Sequence, residues 1–157
     1  MAFVFAFAAP LALTPLTVNT TAGAVRGVLS NGVGTFRSIP YAMAPVGDMR
    51  WKPPLAAAPW TSVRDASKDG PGCPQKCGLP QGTCPPTMDE DCLTLNVFTP
   101  GLGGPPRSVL FFIHGGDFYQ GYAGGELYDG TRFARDHGVV VVVIQYRLGA
   151  LGFLYSG

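Results

Sequence analysis

The chain has 157 residues, of which 46% are hydrophobic and only 13% charged, and its formal net charge is +1. This composition favours a globular protein over a disordered one, and the length suits a single domain. The eleven basic residues are scattered without a run of lysine or arginine. Nothing in the charge pattern therefore predicts binding to nucleic acid or to an anionic membrane surface.

The N-terminal stretch allows two interpretations. Residues 1–13 are apolar and uncharged, and the first charge in the chain is Arg26. The stretch is too short to span a bilayer. It resembles the apolar core of a secretory signal, but the basic residue that should precede such a core is missing. Residues 1–14 are thus either a signal peptide or a disordered N-terminus, and residues 15–157 form the globular part.

A small antiparallel meander is predicted next. Two short β-branched segments read as strands, over residues 17–20 and 24–29. The residues Asn31 and Gly32 tolerate positive φ angles and predict a hairpin turn, after which residues 33–39 return as a third strand.

A proline-rich segment separates this meander from a fourth strand. Residues 40–60 contain five prolines, which fix φ and cannot donate to a ladder, so the segment should wrap over other elements. Trp51 and Trp60 are predicted to anchor it by burial. Residues 93–98 alternate apolar and polar side chains, as a half-buried strand does.

The C-terminal part predicts an α/β unit. Residues 108–113 read as an apolar strand buried on both faces, and residues 139–146 as a second one. Between them, residues 129–137 fit a helix with Asp129 as its N-cap and Gly138 as its stop. A strand, a crossover and another strand of this composition predict a parallel pair.

Four cysteines cluster within twenty residues of a loop rich in proline and glycine: Cys73, Cys77, Cys84 and Cys92. Their spacing contains no Cys-x-x-Cys pair and no histidine lies nearby, which argues against a metal site. Two disulfides fit better, and disulfides indicate an oxidising compartment such as the secretory pathway. Asn19 begins an Asn-Thr-Thr glycosylation sequon, which agrees with that compartment but occurs often by chance.

The most informative motif follows the strand at residues 108–113. It runs directly into His114, Gly115, Gly116 and Asp117, and a glycine turn of this kind presents bare backbone N–H groups, as an oxyanion hole does. The matching nucleophile would be a serine in a Gly-x-Ser-x-Gly turn. None of the six serines has glycines two residues away on both sides, so the sequence shows half of an active site.

Five blocks of sequence resemble the N-terminal part of the type-B carboxylesterase family, the α/β-hydrolases that include cholinesterases and fungal lipases. They occur in the family's order, at residues 23–27, 36–51, 90–97, 113–118 and 146–154. The block Glu-Asp-Cys-Leu-Thr-Leu-Asn-Val ahead of the His-Gly-Gly strand is highly specific. The resemblance implies a small antiparallel meander leading into a central, mostly parallel sheet. Because family members are several times longer, we expect this chain to be an N-terminal fragment of such a domain.

The resemblance also assigns roles at the glycine turn. It implies that the backbone N–H groups of Gly116 and Asp117 form the oxyanion hole, with Gly115 shaping the turn. The family's third donor follows the catalytic serine and has no counterpart among these residues. Asp117 stands where many members have glycine or alanine, and a carboxylate beside a developing oxyanion is unfavourable unless it points away. His114 corresponds to a structural position, not to the catalytic base.

Structural pairings come from the same resemblance. It pairs Cys92 with Cys73, which leaves Cys77 and Cys84 to pair with each other. Arg50 and Glu90 match two positions that form a buried ion pair in the family. A glycine common in the family is replaced here by Ser38.

The implied activity is hydrolysis of a small-molecule carboxylic ester without a cofactor. A serine, an acid and a base carry that reaction in the family, and no residue here matches any of the three. We therefore expect the 157 residues alone to be inactive. A non-catalytic adhesion or binding module of the same family is the alternative, and the sequence does not indicate an oligomeric state.

Overall fold

The computed structural model describes residues 13–155; most of the N-terminal stretch, residues 1–12, and Ser156 therefore lie outside the described part. Within residues 13–155 the chain forms seven strands and two α-helices. These are β1 (Thr14–Asn19), β2 (Ala24–Ser30), β3 (Val33–Pro40), β4 (Arg64–Asp65), β5 (Thr94–Thr99), β6 (Val109–Ile113), α1 (Thr131–His137), β7 (Val140–Ile144) and α2 (Gly149–Phe153).

The predicted meander is confirmed. Strand β2 pairs antiparallel with both β1 and β3. The β2–β3 turn places Asn31 at φ 51° and Gly32 at φ 76°, the left-handed conformation that these residue types tolerate best. Local turn chemistry was therefore enough to locate this hairpin.

One mixed sheet runs through the described part, in the order β1-β2-β3-β5-β7-β6, with β4 beside β2. Strands β6 and β7 pair in parallel across the α1 crossover, which confirms the predicted parallel pair and the α/β class. Strand β7 pairs antiparallel with β5, as β5 does with β3. Apart from the short β2–β4 pair, the parallel pairing in this sheet thus joins β7 to β6, the strand that leads into the glycine turn.

Strand β5 lies at the centre of the hydrophobic core. Phe98 is fully buried and packs in a cluster with Val33, Ala134, Val141 and others. A second cluster surrounds the buried Cys73 and Cys92. A third cluster packs β2 against β3, so the core extends from the meander to α1 and the cysteine loop.

The burial predicted for β6 is wrong. All five of its side chains, Val109 to Ile113, are 40–60% exposed. The strand is the last in the order of the sheet and has β7 as its neighbour on one side. Although β6 is apolar throughout, residues 13–155 therefore do not bury it.

Two local predictions also need correction. Trp51 is 55% exposed, and its indole N–H donates to the Ala150 carbonyl at 2.9 Å instead of entering the core. The helix α1 has Gly130, not Asp129, at its N-cap position. The Asp129 carboxylate still accepts from the Thr131 amide at 2.8 Å, so it supports the helix from one residue earlier.

Candidate functional site

The glycine turn departs sharply from β6. Gly116, Asp117 and Phe118 have φ angles of 120°, 53° and 63°. A side chain at position 116 would collide with the Gln120 carbonyl, so only glycine fits there. Aspartate and phenylalanine in the left-handed region each cost about 1–2 kcal/mol, which indicates that surrounding contacts impose this conformation.

The turn uses its carbonyls and leaves its amides open. The Gly116 carbonyl accepts from the Tyr119 and Gln120 amides at 3.2 and 3.1 Å, and the Phe118 carbonyl accepts from Gly149 at 2.8 Å. Among residues 13–155, no protein atom accepts a hydrogen bond from the N–H groups of Gly115, Gly116 or Asp117. Three consecutive donors are therefore available to an incoming acceptor.

These donors border an open cavity of about 570 Å³ at the end of β6 and β7. Its walls are mainly apolar and include Ile113, Ile144, Tyr146, Phe118 and Phe153. The rings of Phe118 and Phe153 lie 4.9 Å apart. Among the described residues that line this cavity, Asp117 is the one with a carboxyl group. The cavity thus combines a short row of amide donors with room for an apolar group.

His114 is buried beneath the turn. Its Nδ1 lies 2.9 Å from the Gly115 carbonyl, which makes Nδ1 the protonated nitrogen. Its ring stacks on Tyr146 with centroids 4.5 Å apart, and the Tyr146 hydroxyl donates to the His114 carbonyl at 2.8 Å. Burial holds the pKa of the imidazole below its ordinary value. A neutral, packed histidine of this kind fixes the start of the turn.

Two glutamines whose roles were not predicted from the sequence hold the segment after the turn. The Gln75 amide group donates to the Gly121 carbonyl at 2.7 Å and accepts from the Gly121 amide at 2.8 Å. The Gln120 side-chain oxygen accepts from the Gly78 amide at 2.9 Å. Each is a polar residue in a loop that contains glycine, and this was the one signal of a structural role. Because their partners lie more than forty positions away, no pairing could be predicted from the sequence.

The structure contains the two disulfides that the resemblance implies. Cys73 is bonded to Cys92 and Cys77 to Cys84. The first pair is 0% and 1% exposed, whereas both members of the second are half-buried. The buried bond ties the cysteine loop to the residues that enter β5.

Arg50 and Glu90 form the ion pair that the resemblance implies, but the pair is not buried. The Arg50 Nε–H donates to a Glu90 carboxylate oxygen at 2.6 Å, and the two side chains are 43% and 21% exposed. The guanidinium holds the pKa of the Glu90 carboxyl below its ordinary value. Pairs this exposed contribute little to stability. The contact therefore fastens the proline-rich segment only weakly.

The remaining candidate features lie away from the turn. Asn19 is exposed at the end of β1, and its glycosylation stays a prediction. Within residues 13–155, no cluster of potential metal ligands occurs. No helix in the same range is long and apolar enough to cross a membrane.

Comparison with known proteins decides the family. A family model described as Carboxylesterase family matches residues 14–157. The chain belongs to the carboxylesterase family. It is 46% identical over 149 residues to a phenmedipham hydrolase from Pseudarthrobacter oxydans, and 42% identical over 145 residues to a para-nitrobenzyl esterase from Bacillus subtilis. These alignments cover 90% and 91% of this chain, and the chain spans 30% of the length of each relative.

Solved structures of carboxylesterases share its fold. A PNB esterase structure aligns with 91% of this chain and 30% of its own, at 41% identity and a TM-score of 0.86. The carboxylesterase EST55 of Geobacillus stearothermophilus aligns with 88% of this chain and 28% of its own, at 43% identity and a TM-score of 0.79. The mixed sheet is thus part of an α/β-hydrolase fold, which confirms the fold expected from the resemblance.

Proposed function

We propose that this chain supplies the oxyanion turn of a serine carboxylic-ester hydrolase. The supporting observation is the row of three unpaired amides at Gly115, Gly116 and Asp117, which opens into an apolar cavity. Amides fixed in advance stabilise the negative charge that develops on an ester carbonyl oxygen during attack. The apolar walls would accommodate part of a small ester substrate. No cofactor is needed for this chemistry.

Asp117 fits this role through its backbone. Its amide is one of the three donors, and the exposed residue stands at φ 53°, in the left-handed region. A carboxylate that stays in solvent adds little repulsion, because water screens it from the oxyanion. The side chain therefore bears on which substrates enter the cavity more than on whether the turn can act.

The 157 residues supply neither nucleophile nor base for the reaction. The sequence holds no Gly-x-Ser-x-Gly serine, and His114 is buried beneath the turn and held through Nδ1, as a structural histidine is. Without a nucleophile no acyl-enzyme forms. We propose that the serine, acid and base of the reaction come from residues other than these, and that this chain alone does not hydrolyse esters.

A chimera tests the turn directly. Residues 14–157 would replace the matching segment of the para-nitrobenzyl esterase, and hydrolysis of a short activated ester would be measured. We expect an active chimera in which Gly116→Ala lowers kcat roughly 100-fold or more, because the added Cβ collides with the Gln120 carbonyl and displaces the amides of the turn, an effect comparable to losing an oxyanion donor. Gly103→Ala is the matched control, because that glycine also has a positive φ of 82° but lies in an open turn far from the site.

Labelling separates the catalytic proposal from the alternative. We expect a fluorophosphonate probe to label the chimera stoichiometrically and to leave the 157-residue chain unlabelled. Saturable labelling of a serine in the isolated chain would contradict the proposal. A folded chimera with no hydrolysis would favour a non-catalytic binding module.

The disulfides support an oxidising compartment for this chain. Both bonds are compatible with a secreted protein. We propose a location in the secretory pathway or outside the cell. Peptide mapping without reduction, on material from the native host, would show Cys73–Cys92 and Cys77–Cys84 links, and four free thiols would contradict the location.

A further inference from the structure

Two loops that are distant in sequence meet behind the oxyanion turn. One is the Cys77–Cys84 loop, residues 77–84, which its own disulfide closes. The other, residues 120–126, follows the turn. The Gly78 amide donates to the Gln120 side-chain oxygen at 2.9 Å, and the Glu126 amide donates to the Gly82 carbonyl at 3.0 Å. The disulfide loop therefore contacts the second loop at both ends.

Gln120 connects this contact to the turn itself. Its side chain is buried against the Cys77–Cys84 loop. Its own amide donates to the Gly116 carbonyl at 3.1 Å, and its carbonyl occupies the space that a side chain at position 116 would need. A shift of Gln120 would therefore move the Gly116 carbonyl. That carbonyl belongs to the same peptide unit as the Asp117 amide, which borders the cavity.

We propose that Gln120 is a positioning residue for the oxyanion turn and that the Cys77–Cys84 loop is the support that fixes Gln120. The proposal rests on the function proposed above. Gln120 does not touch the cavity, so it acts only through Gly116. The turn holds strained φ angles at Asp117 and Phe118, and such angles persist only where surrounding contacts enforce them.

The support depends on its disulfide. Among backbone contacts within the described loop, the Thr83 amide to the Pro80 carbonyl at 3.2 Å is the one that closes it. Opening the disulfide releases a short, glycine-containing loop whose conformational entropy then rises. The Gly78 amide is consequently presented to Gln120 for a smaller fraction of the time.

The two disulfides differ in access to a reductant. Cys77 and Cys84 are half-buried, whereas Cys73 and Cys92 are almost fully buried. A dithiol reductant should therefore attack the Cys77–Cys84 bond first. In that exchange the dithiol gives two electrons and two protons to the protein disulfide, which becomes two thiols, and the reductant closes to its own cyclic disulfide. The support can thus be removed while the buried bond remains.

Hydrogen exchange measured by mass spectrometry tests the proposal on the full chain. The measurement can be made whether the chain is monomeric or self-associated. The oxidised chain is compared with chain treated with a dithiol and alkylated, after peptide mapping has shown modification at Cys77 and Cys84 only. We expect exchange in the peptide covering residues 115–121 to rise roughly 3- to 10-fold, as the loss of one hydrogen bond implies. Exchange across β5 should stay the same.

Substitutions at position 120 distinguish positioning from general stability. Gln120→Met removes the acceptor for Gly78 and should raise exchange at residues 115–121 to the same degree in oxidised protein. Gln120→Glu keeps an acceptor and should restore slow exchange. Lys76→Ala, an exposed change just outside the disulfide loop, is the matched control and should have no effect.

Two outcomes would overturn the proposal. Exchange at residues 115–121 that does not change on reduction would show that the loop gives no support. Exchange that rises equally in β5 would show a general staple rather than a positioning contact. Exchange reports hydrogen bonding and does not depend on catalysis. The exchange result can therefore be interpreted even if the chimera shows no esterase activity.

Discussion

Strands β5 and β6 belong to one sheet and are both rich in apolar side chains, but they lie in opposite environments. β5 has β3 and β7 as neighbours on its two sides, and its Phe98 is fully buried. β6 has β7 on one side, and all five of its side chains are at least 40% exposed. The difference shows that an apolar composition makes a strand suitable for burial but does not by itself bury it. Residues 13–155 bury β5 and leave β6 exposed.

The same contrast separates the two kinds of polar group near these strands. On β5, the Asn96 side chain accepts from the Ser38 amide at 2.8 Å and donates to Asp69 and to the Ala123 carbonyl. At the end of β6, the amides of Gly115, Gly116 and Asp117 have no acceptor in the described part. Satisfied groups hold the fold together, whereas open ones are suited to bind a ligand.

The largest expected effect is a core truncation in β5. Phe98→Ala should lower the free energy of unfolding by about 3–5 kcal/mol, because it removes a fully buried ring and leaves a cavity. Phe111→Ala in β6 is the matched change and should cost less than about 1 kcal/mol. Urea unfolding of both variants, at concentrations low enough for the chain to be monomeric, measures the difference. Equal losses would show that β6 is packed in solution, in contradiction to its exposure.

Self-association should follow from the open edge of β6. An uncharged apolar edge strand pairs readily with another copy, and the low charge of the chain opposes this only weakly. Phe111→Lys should shift the chain from large species toward monomer in size-exclusion chromatography, while Lys76→Ala should not. A wild-type chain that is monomeric at all concentrations would contradict the assignment of β6 as an unprotected edge.

An intermediate effect concerns the histidine under the turn. Burial lowers the pKa of His114 below its ordinary value of 6.5, so the unfolded chain binds a proton first as the pH falls. The free energy of unfolding should therefore decrease below about pH 6.5, by no more than about 1.4 kcal/mol per pH unit. His114→Asn keeps a donor for the Gly115 carbonyl but does not titrate, so the slope should flatten. An unchanged slope in urea unfolding would place the titration elsewhere.

The smallest effect concerns Ser38 on β3. Ser38 has a φ of 56°, where a residue with a side chain is disfavoured by about 1 kcal/mol or more relative to glycine. Ser38→Gly should therefore stabilise the protein by about 0.5–1 kcal/mol in urea unfolding. Ser30→Gly at the end of β2 is the control and should destabilise, because an extended residue gains nothing from glycine. Destabilisation by both changes would mean that the Ser38 side chain makes a contact worth more than its strain.

The predictable features were those set by nearby residues. Asn31 and Gly32 located the hairpin, and the apolar runs on either side of α1 located the parallel pair. The resemblance supplied the cysteine pairing and the Arg50–Glu90 contact, but not the exposure of that contact. Nothing local indicated the roles of Gln75 and Gln120, because their partners are set by how distant loops fold together. The exposure of β6 was missed because its composition suits a buried strand.

The proposed function requires a glycine turn that is rigid and yet leaves its amides open. Amide exchange measured by NMR, on chain kept monomeric by Phe111→Lys, tests it residue by residue. We expect fast exchange at Gly115, Gly116 and Asp117, and slow exchange at Gln120 and Gly121. Slow exchange at Gly116 and Asp117 would contradict it, because a protein acceptor would then occupy the donors that we propose for the oxyanion.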